Sequence, residues 1–451
     1  MRLFALVFLL ASQHVFAAEP PVGLDKIRHI VVIYLENHSF DNLYGQFPGA
    51  NGLTQASNGA PQTDLTGKPY TILPPVMNTE HKPAEVDKRF PSDLPNKPFL
   101  INRYVPADQK TGDLVHRFYQ NQAQINGGHN DRFAAISDAG GLVMGYYEGR
   151  NLPLWKYAEK YTLADNFFQG AFGGSFLNHF WLICACTPRY EHAPAEVAAV
   201  LDAEGKLLKD GAVTPDGYAV NTLQPATAPI KPGTTPAKRL PPQTMPNIGD
   251  RLSEKGISWA WYAGGWNDAL AKHPGENFQY HHQPFGYFSR YAEGTQERAA
   301  HLKDAADFLK NITEGQLPSV SFYKPIGELN EHPGYADVMA GEQHIADLLA
   351  RIERSPQWQD IAVIITYDEN GGFWDHVAPP LKDRWGPGTR VPAIIVSPYA
   401  KRGFVDHTEY DTTSILKLIE TRFGLPSLGE RDAKASDMAN AFYFQERAPR
   451  H

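Results

Sequence analysis

Ser175 stands directly after two glycines in GAFGGSFLNHFW at 170–181, and the residues behind it carry helical spacing. A serine at a helix N-terminus meets unpaired backbone N–H groups and the positive end of the helix dipole. Both favour a phosphate and a serine alkoxide. Asn178 and His179 follow at three and four residues, so one or both share a face with Ser175 and can reach the same ligand. A plain N-cap after a glycine turn would give the same pattern, so this segment alone decides nothing. No G-x-S-x-G elbow surrounds the serine, which turns the expectation away from acyl transfer.

Two further clusters are acidic. Glu36-Asn37-His38 and Asp368-Glu369-Asn370 each follow an apolar run directly. Three carboxylates and an amide meeting without matching basic residues would repel one another unless a cation sat among them. One divalent metal ion is the simplest resolution. Oxygen ligands of this kind suit Mg, Ca or Mn, and the lack of a dedicated His-rich or Cys-rich set argues against structural zinc. A lone Asp or Glu at a strand end more often caps a helix or faces solvent, so the weight rests on the pair of clusters. Among 17 histidines, His116, His129, His281, His282 and His332 lie in polar, turn-rich sequence. Such residues can bind phosphate oxygens as imidazolium or protonate a leaving group, and their spacing does not rank them.

These groups meet only if the fold brings distant segments to one rim. Apolar, β-branched runs at 29–35, 257–264, 317–323, 361–367 and 391–398 read as buried strands. Helical periodicity appears around 340–354 and 412–423. Alternating strands and helices imply an α/β fold with a mainly parallel central sheet flanked by helices, and ligands in such folds sit beyond the carboxyl ends of the strands. Two long stretches near 45–110 and 186–247, rich in Pro, Gly, Asn and Thr, read as insertions on the rim that wall a pocket.

The chain has 451 residues, 42% hydrophobic and 20% charged, with a net charge of -8. That composition supports a large core and supplies no global field for nucleic acid. Residues 1–18 read as a signal peptide: Arg2, an apolar stretch from Leu3 to Ala11, then small residues at Ala17 and Ala18. The expectation is therefore a periplasmic or secreted protein without a transmembrane segment, with residues 19–451 as one catalytic domain. The two cysteines, Cys184 and Cys186, are one residue apart. Bridging so small a ring looks strained, so two buried free thiols are expected.

Four ordered blocks carry a family resemblance: IRHIVVIYLENHSFDNLYG at 27–45, QINGGHNDRF at 124–133, GAFGGSFLNHFW at 170–181 and ITYDENGGFWDHVAPP at 365–380. Together they resemble the bacterial phosphoesterase family that unites acid phosphatases with phosphatidylcholine-hydrolysing phospholipases C. The resemblance implies an alkaline-phosphatase-like fold. It also implies a metal held by Glu36, Asn37, Asp368, Glu369 and the nucleophile Ser175. By the same resemblance Asn178, His116, His281, His282 and His332 line the phosphate pocket. His129 stands where phospholipase members tend to carry lysine, and the chain stops soon after the last block. Both features tilt the expectation to the acid phosphatase branch, with His332 or His282 as the proton donor. The alternatives are a phospholipase C acting on lipid head groups and an exported phosphate- or metal-binding protein without turnover.

Overall fold

The computed structural model describes residues 21–56 and 61–444, so the expected signal peptide lies outside the described residues. Eight strands form one sheet: β1 (His29–Leu35), β2 (Thr162–Ala164), β3 (Trp259–Ala263), β4 (Leu302–Asp304), β5 (Val320–Lys324), β6 (Ile361–Tyr367), β7 (Ala393–Val396) and β8 (Phe404–Asp406). Their order is β4-β3-β5-β1-β6-β7-β2-β8. All junctions are parallel except the two made by β7. The architecture is the expected α/β type, with one reversed strand inside it.

β1 is a continuous apolar run because it lies mid-sheet and is covered on both faces. Ile30, Val31, Val32 and Ile33 are fully buried, each contributing roughly 1.5–3 kcal/mol of transfer free energy. Its register aligns Leu35 with Tyr367 of β6 and Ile33 with Tyr323 of β5. Three neighbouring strands thus end at one rim, which delivers Glu36, Asp368 and Lys324 to the same place.

Helices α1 (Pro153–Lys160), α2 (Ser175–Cys184), α3 (Trp266–Leu270), α4 (Gln296–His301), α5 (Ala305–Glu314), α6 (Val338–Arg354) and α7 (Thr412–Phe423) flank the sheet. α1 packs on α6, and α2 on α7. Local chemistry sets their ends. The Asp411 carboxylate accepts from Thr413 N–H at the start of α7, and Gly424 closes that helix at φ 63°.

The cysteine expectation is corrected: Cys184 and Cys186 form a disulfide, with their Cα atoms 5.1 Å apart. The helix ends at Cys184, and Ala185 turns to φ 47°. Leaving helical geometry there brings the two sulfurs together, which a straight reading of C-x-C did not anticipate.

Candidate active site

The serine site begins with a turn that only glycine fits. Gly173 has φ +86°, and a Cβ there would lie 2.4 Å from Phe118 N. At Gly174 a Cβ would come within 2.8 Å of the His116 carbonyl oxygen. The 116–118 backbone therefore lies directly on the turn and places His116 beside Ser175. Gly174 is the N-cap of α2 and Ser175 its first helical residue. The Oγ is thus not spent on capping, and the first N–H groups of α2 face outward as anion donors.

Ser175 Oγ instead points to Asn37 Oδ1 and Glu369 Oε1, each 3.4 Å away. Those separations exceed a normal O–H···O bond, so the three oxygens are arrayed as separate donors from three elements. Asp368 Oδ1 is tied to Glu369 N–H at 2.8 Å and Glu369 Oε2 to Gly371 N–H at 2.5 Å, which fixes both carboxylates.

The premise that no basic residue matches the acids is overturned. Fully buried Lys324 places Nζ 2.7 Å from Glu36 Oε1 and 3.4 Å from Asp368 Oδ2. Tyr335 OH and Asn330 Nδ2 donate to the other Glu36 oxygen at 3.0 and 3.1 Å. Lys324 follows VSFY in the strand at 320–324. It directly follows the apolar run at 317–323, the same position that Glu36 and Asp368 hold after theirs.

Histidines crowd the same corner. His282 Nε2 pairs with Glu36 Oε1, and its ring stacks on His179 at 5.4 Å between centroids. His179 donates from Nδ1 to the Ser175 carbonyl at 2.7 Å, leaving its buried Nε2 without a partner. Glu36, His281 and His282 offer atoms close enough to share a cation, as do Glu36, His179 and Asp368. The donor set is therefore mixed oxygen and nitrogen, which removes the lack of histidines as an argument against zinc.

Electrostatics separate these groups. Burial pushes Asp368 up to about 7, against the pull of Lys324. Burial also holds Glu369 well above the usual carboxylate range, opposed by His116 and reinforced by Asp368. Burial lowers His116, but the Glu369 and Asp113 carboxylates outweigh it and raise the imidazole to about 9. His282 falls to about 4, because burial outweighs the attraction of Glu36. Glu36 lies well below its ordinary range: burial alone would raise it, and His282 and Lys324 more than reverse that. Three carboxylates thus face two cations, Lys324 and His116. Buried acids held above their usual range, with Ser175 and Asn37 oxygens among them, fit a divalent ion.

A cavity of about 250 Å³ opens over Ser175. Glu36, His116, His281 and His332 line it, together with Asn221 from the 186–247 stretch. His332 donates from Nδ1 to the Pro333 carbonyl at 2.6 Å, which leaves Nε2 to hold or release a proton. Its ring stacks on Tyr335 at 4.3 Å. His282 is not among the lining residues. Asn178 is placed otherwise than its spacing suggested. Its amide accepts from Ala171 N–H at 2.8 Å and donates to the Ala171, Gly173 and Gly174 carbonyls at 3.2 Å. It therefore holds the serine turn. His129 is exposed on the turn after Gly128 and does not line the cavity.

A model of the Phosphoesterase family matches residues 27–426. Phospholipase C B of Mycobacterium tuberculosis (strain ATCC 25618 / H37Rv) is 26% identical over 476 residues, covering 96% of this chain and 81% of that protein. Phospholipase C A of the same strain is 27% identical, covering 96% and 80%. Among solved structures, a protein in the alkaline phosphatase superfamily from Vibrio parahaemolyticus gives a TM-score of 0.35 at 9% identity, over 73% of each chain.

Proposed function

Because the chain belongs to the Phosphoesterase family, whose members cleave phosphoric esters, we propose that it hydrolyses phosphate monoesters through Ser175. The observation that carries this reading is the Ser175 Oγ at the α2 N-terminus, 3.4 Å from both Asn37 Oδ1 and Glu369 Oε1.

In the mechanism, Glu36, Asn37, Asp368, Glu369 and Ser175 would hold one divalent ion, with His179 and His282 beside them. When bound, the ion would lower the pKa of the serine hydroxyl and neutralise phosphoryl charge. The N–H groups of α2 and the His116 imidazolium bind the phosphoryl oxygens. Ser175 Oγ, as the alkoxide whose proton has passed to solvent before the substrate binds, attacks phosphorus in line, the ester P–O bond breaks, and protonated His332 gives its Nε2 proton to the departing alcohol. A phosphoserine results. His332 then takes a proton from the water that attacks phosphorus, which frees phosphate and restores Ser175. Lys324 keeps Glu36 ionised and oriented throughout.

A second reading, phospholipase C, is favoured by the names of the relatives. Against it stands the cavity lining, whose aromatic rings apart from histidine are Phe176 and Tyr335. A choline ammonium prefers several aromatic faces. The test is hydrolysis of p-nitrophenyl phosphate against p-nitrophenylphosphorylcholine, with and without chelator. Chelator-sensitive preference for the monoester supports the proposal, and preference for the choline ester replaces it with the second reading. Export to the periplasm or medium is proposed on the residues at 1–18 alone. Among the described residues no helix is long and apolar enough to cross a membrane.

A further inference from the structure

A second cavity, of about 560 Å³, lies at the β4 edge of the sheet, under the 228–232 segment of the 186–247 stretch. Its walls are apolar: Ile230, Trp266, Leu270 and Leu302. Leu270 on α3 keeps 47% of its surface exposed there. The volume falls in the range of sites that bury a small ligand, roughly 300–1,000 Å³.

Arg298 on α4 is the anomaly in this wall. It is 7% exposed, its guanidinium sits 5.1 Å from the Trp266 ring centroid, and Nη1 donates to the Ala228 carbonyl at 2.7 Å. Among the described residues no carboxylate lies within ion-pair distance of it. The other buried arginines are neutralised: Arg390 by Asp41 and Asp375, and Arg431 by Asp383. A guanidinium kept out of water without an anion is costly unless a ligand supplies the anion. Exposed Lys272 adds a second positive charge at the rim, and exposed Glu293 is the acid nearest to opposing them.

We propose that this cavity binds a long-chain carboxylate, with the aliphatic chain against Trp266, Leu270 and Ile230 and the carboxylate on Arg298. One anionic end and a long apolar body match one guanidinium without an ion-pair partner in a mainly apolar wall whose other charges, Lys272 and Glu293, are exposed. The site is separate from the serine cavity and does not depend on the hydrolase reading. No residue lines both, although two segments contribute to each: Tyr280 and Ile230 line this cavity, His281 and Asn221 the other.

The experiment is calorimetric titration of the full chain with dodecanoate below its micelle concentration, and with dodecyltrimethylammonium, which carries the same chain and the opposite charge. Saturable dodecanoate binding near one per chain is expected, at least about tenfold tighter than the ammonium, the worth of one charge-assisted hydrogen bond. Arg298→Leu should remove that preference. Ala299→Trp, which fills the cavity from an exposed helix position, should abolish binding while p-nitrophenyl phosphate turnover is unchanged. Absence of saturable binding, equal affinity for the two amphiphiles, or undiminished dodecanoate binding to a folded Ala299→Trp variant would overturn the proposal.

Discussion

Lys324 Nζ lies 2.7 Å from Glu36 Oε1, at the ends of two adjacent parallel strands. The pair sits within 1% of full burial, so each charge depends on the other for its solvation. Glu36 is also the acid that His282, Tyr335 and Asn330 touch. The corner proposed as the active site is therefore built around a buried ion pair as well as around the serine.

Removing one partner tests that dependence. Lys324→Met is expected to destabilise the chelated protein by roughly 3–5 kcal/mol, the cost of stranding a buried charge. Thermal melts with and without added divalent ion check it, and the ion should restore part of the loss.

Metal affinity should depend on pH through Asp368, which stands at about 7 without a metal. A proton and a cation compete for that carboxylate. Affinity for manganese(II) is expected to fall at least about tenfold per pH unit as pH drops below 7, because Glu369, also held above its usual range, competes in the same way. Calorimetry at pH 5, 6 and 7 measures this, and a flat affinity would count against Asp368 as a ligand.

The rate profile should follow His116 on its alkaline side. The imidazole is protonated below about 9, so the phosphate contact proposed for it should persist through neutrality and be lost as pH rises past that point. His116→Gln is expected to remove this limb and lower kcat/KM roughly 10²-fold. The Glu369 and Asp113 carboxylates around His116 therefore move this limb above the pH at which an ordinary histidine would lose its proton.

Glu342 on α6 accepts from Leu154 N–H at 2.5 Å at the start of α1, and burial pushes it up to about 8. Between its ordinary value and 8 the folded state binds the proton more tightly than the unfolded chain, so stability is lost as pH rises through that window. Glu342→Gln keeps an acceptor for Leu154. Calorimetric melts should show it more stable than the parent at pH 9, by on the order of 1 kcal/mol or more, with little gain at pH 4.

What could be read in advance was what the chain repeats along its length. β1 and β6 are visible because both faces are buried, which leaves unbroken apolar runs. β2, β4 and β8 have three residues each, too short for any periodicity to register. Within the site, the acids at both strand ends were legible because chemistry-bearing residues directly follow apolar runs. Lys324 directly follows the apolar run at 317–323 and was equally legible by that pattern; what the pattern does not carry is its partner, because the Glu36 carboxylate it meets is 288 residues away in sequence. The role of Asn178 depends on which way an amide points after a glycine turn, and the charge states of His116 and His282 depend on partners far away in sequence. Neither is encoded locally.

The central claim is that Ser175 is the nucleophile. It is tested most directly by comparing kcat/KM for p-nitrophenyl phosphate between the parent and Ser175→Ala, with bound metal quantified in both. A loss of roughly 10⁴-fold or more is predicted, with the fold retained and any loss of metal too small to account for it. A loss of less than about tenfold in a folded, metal-loaded variant would contradict the account.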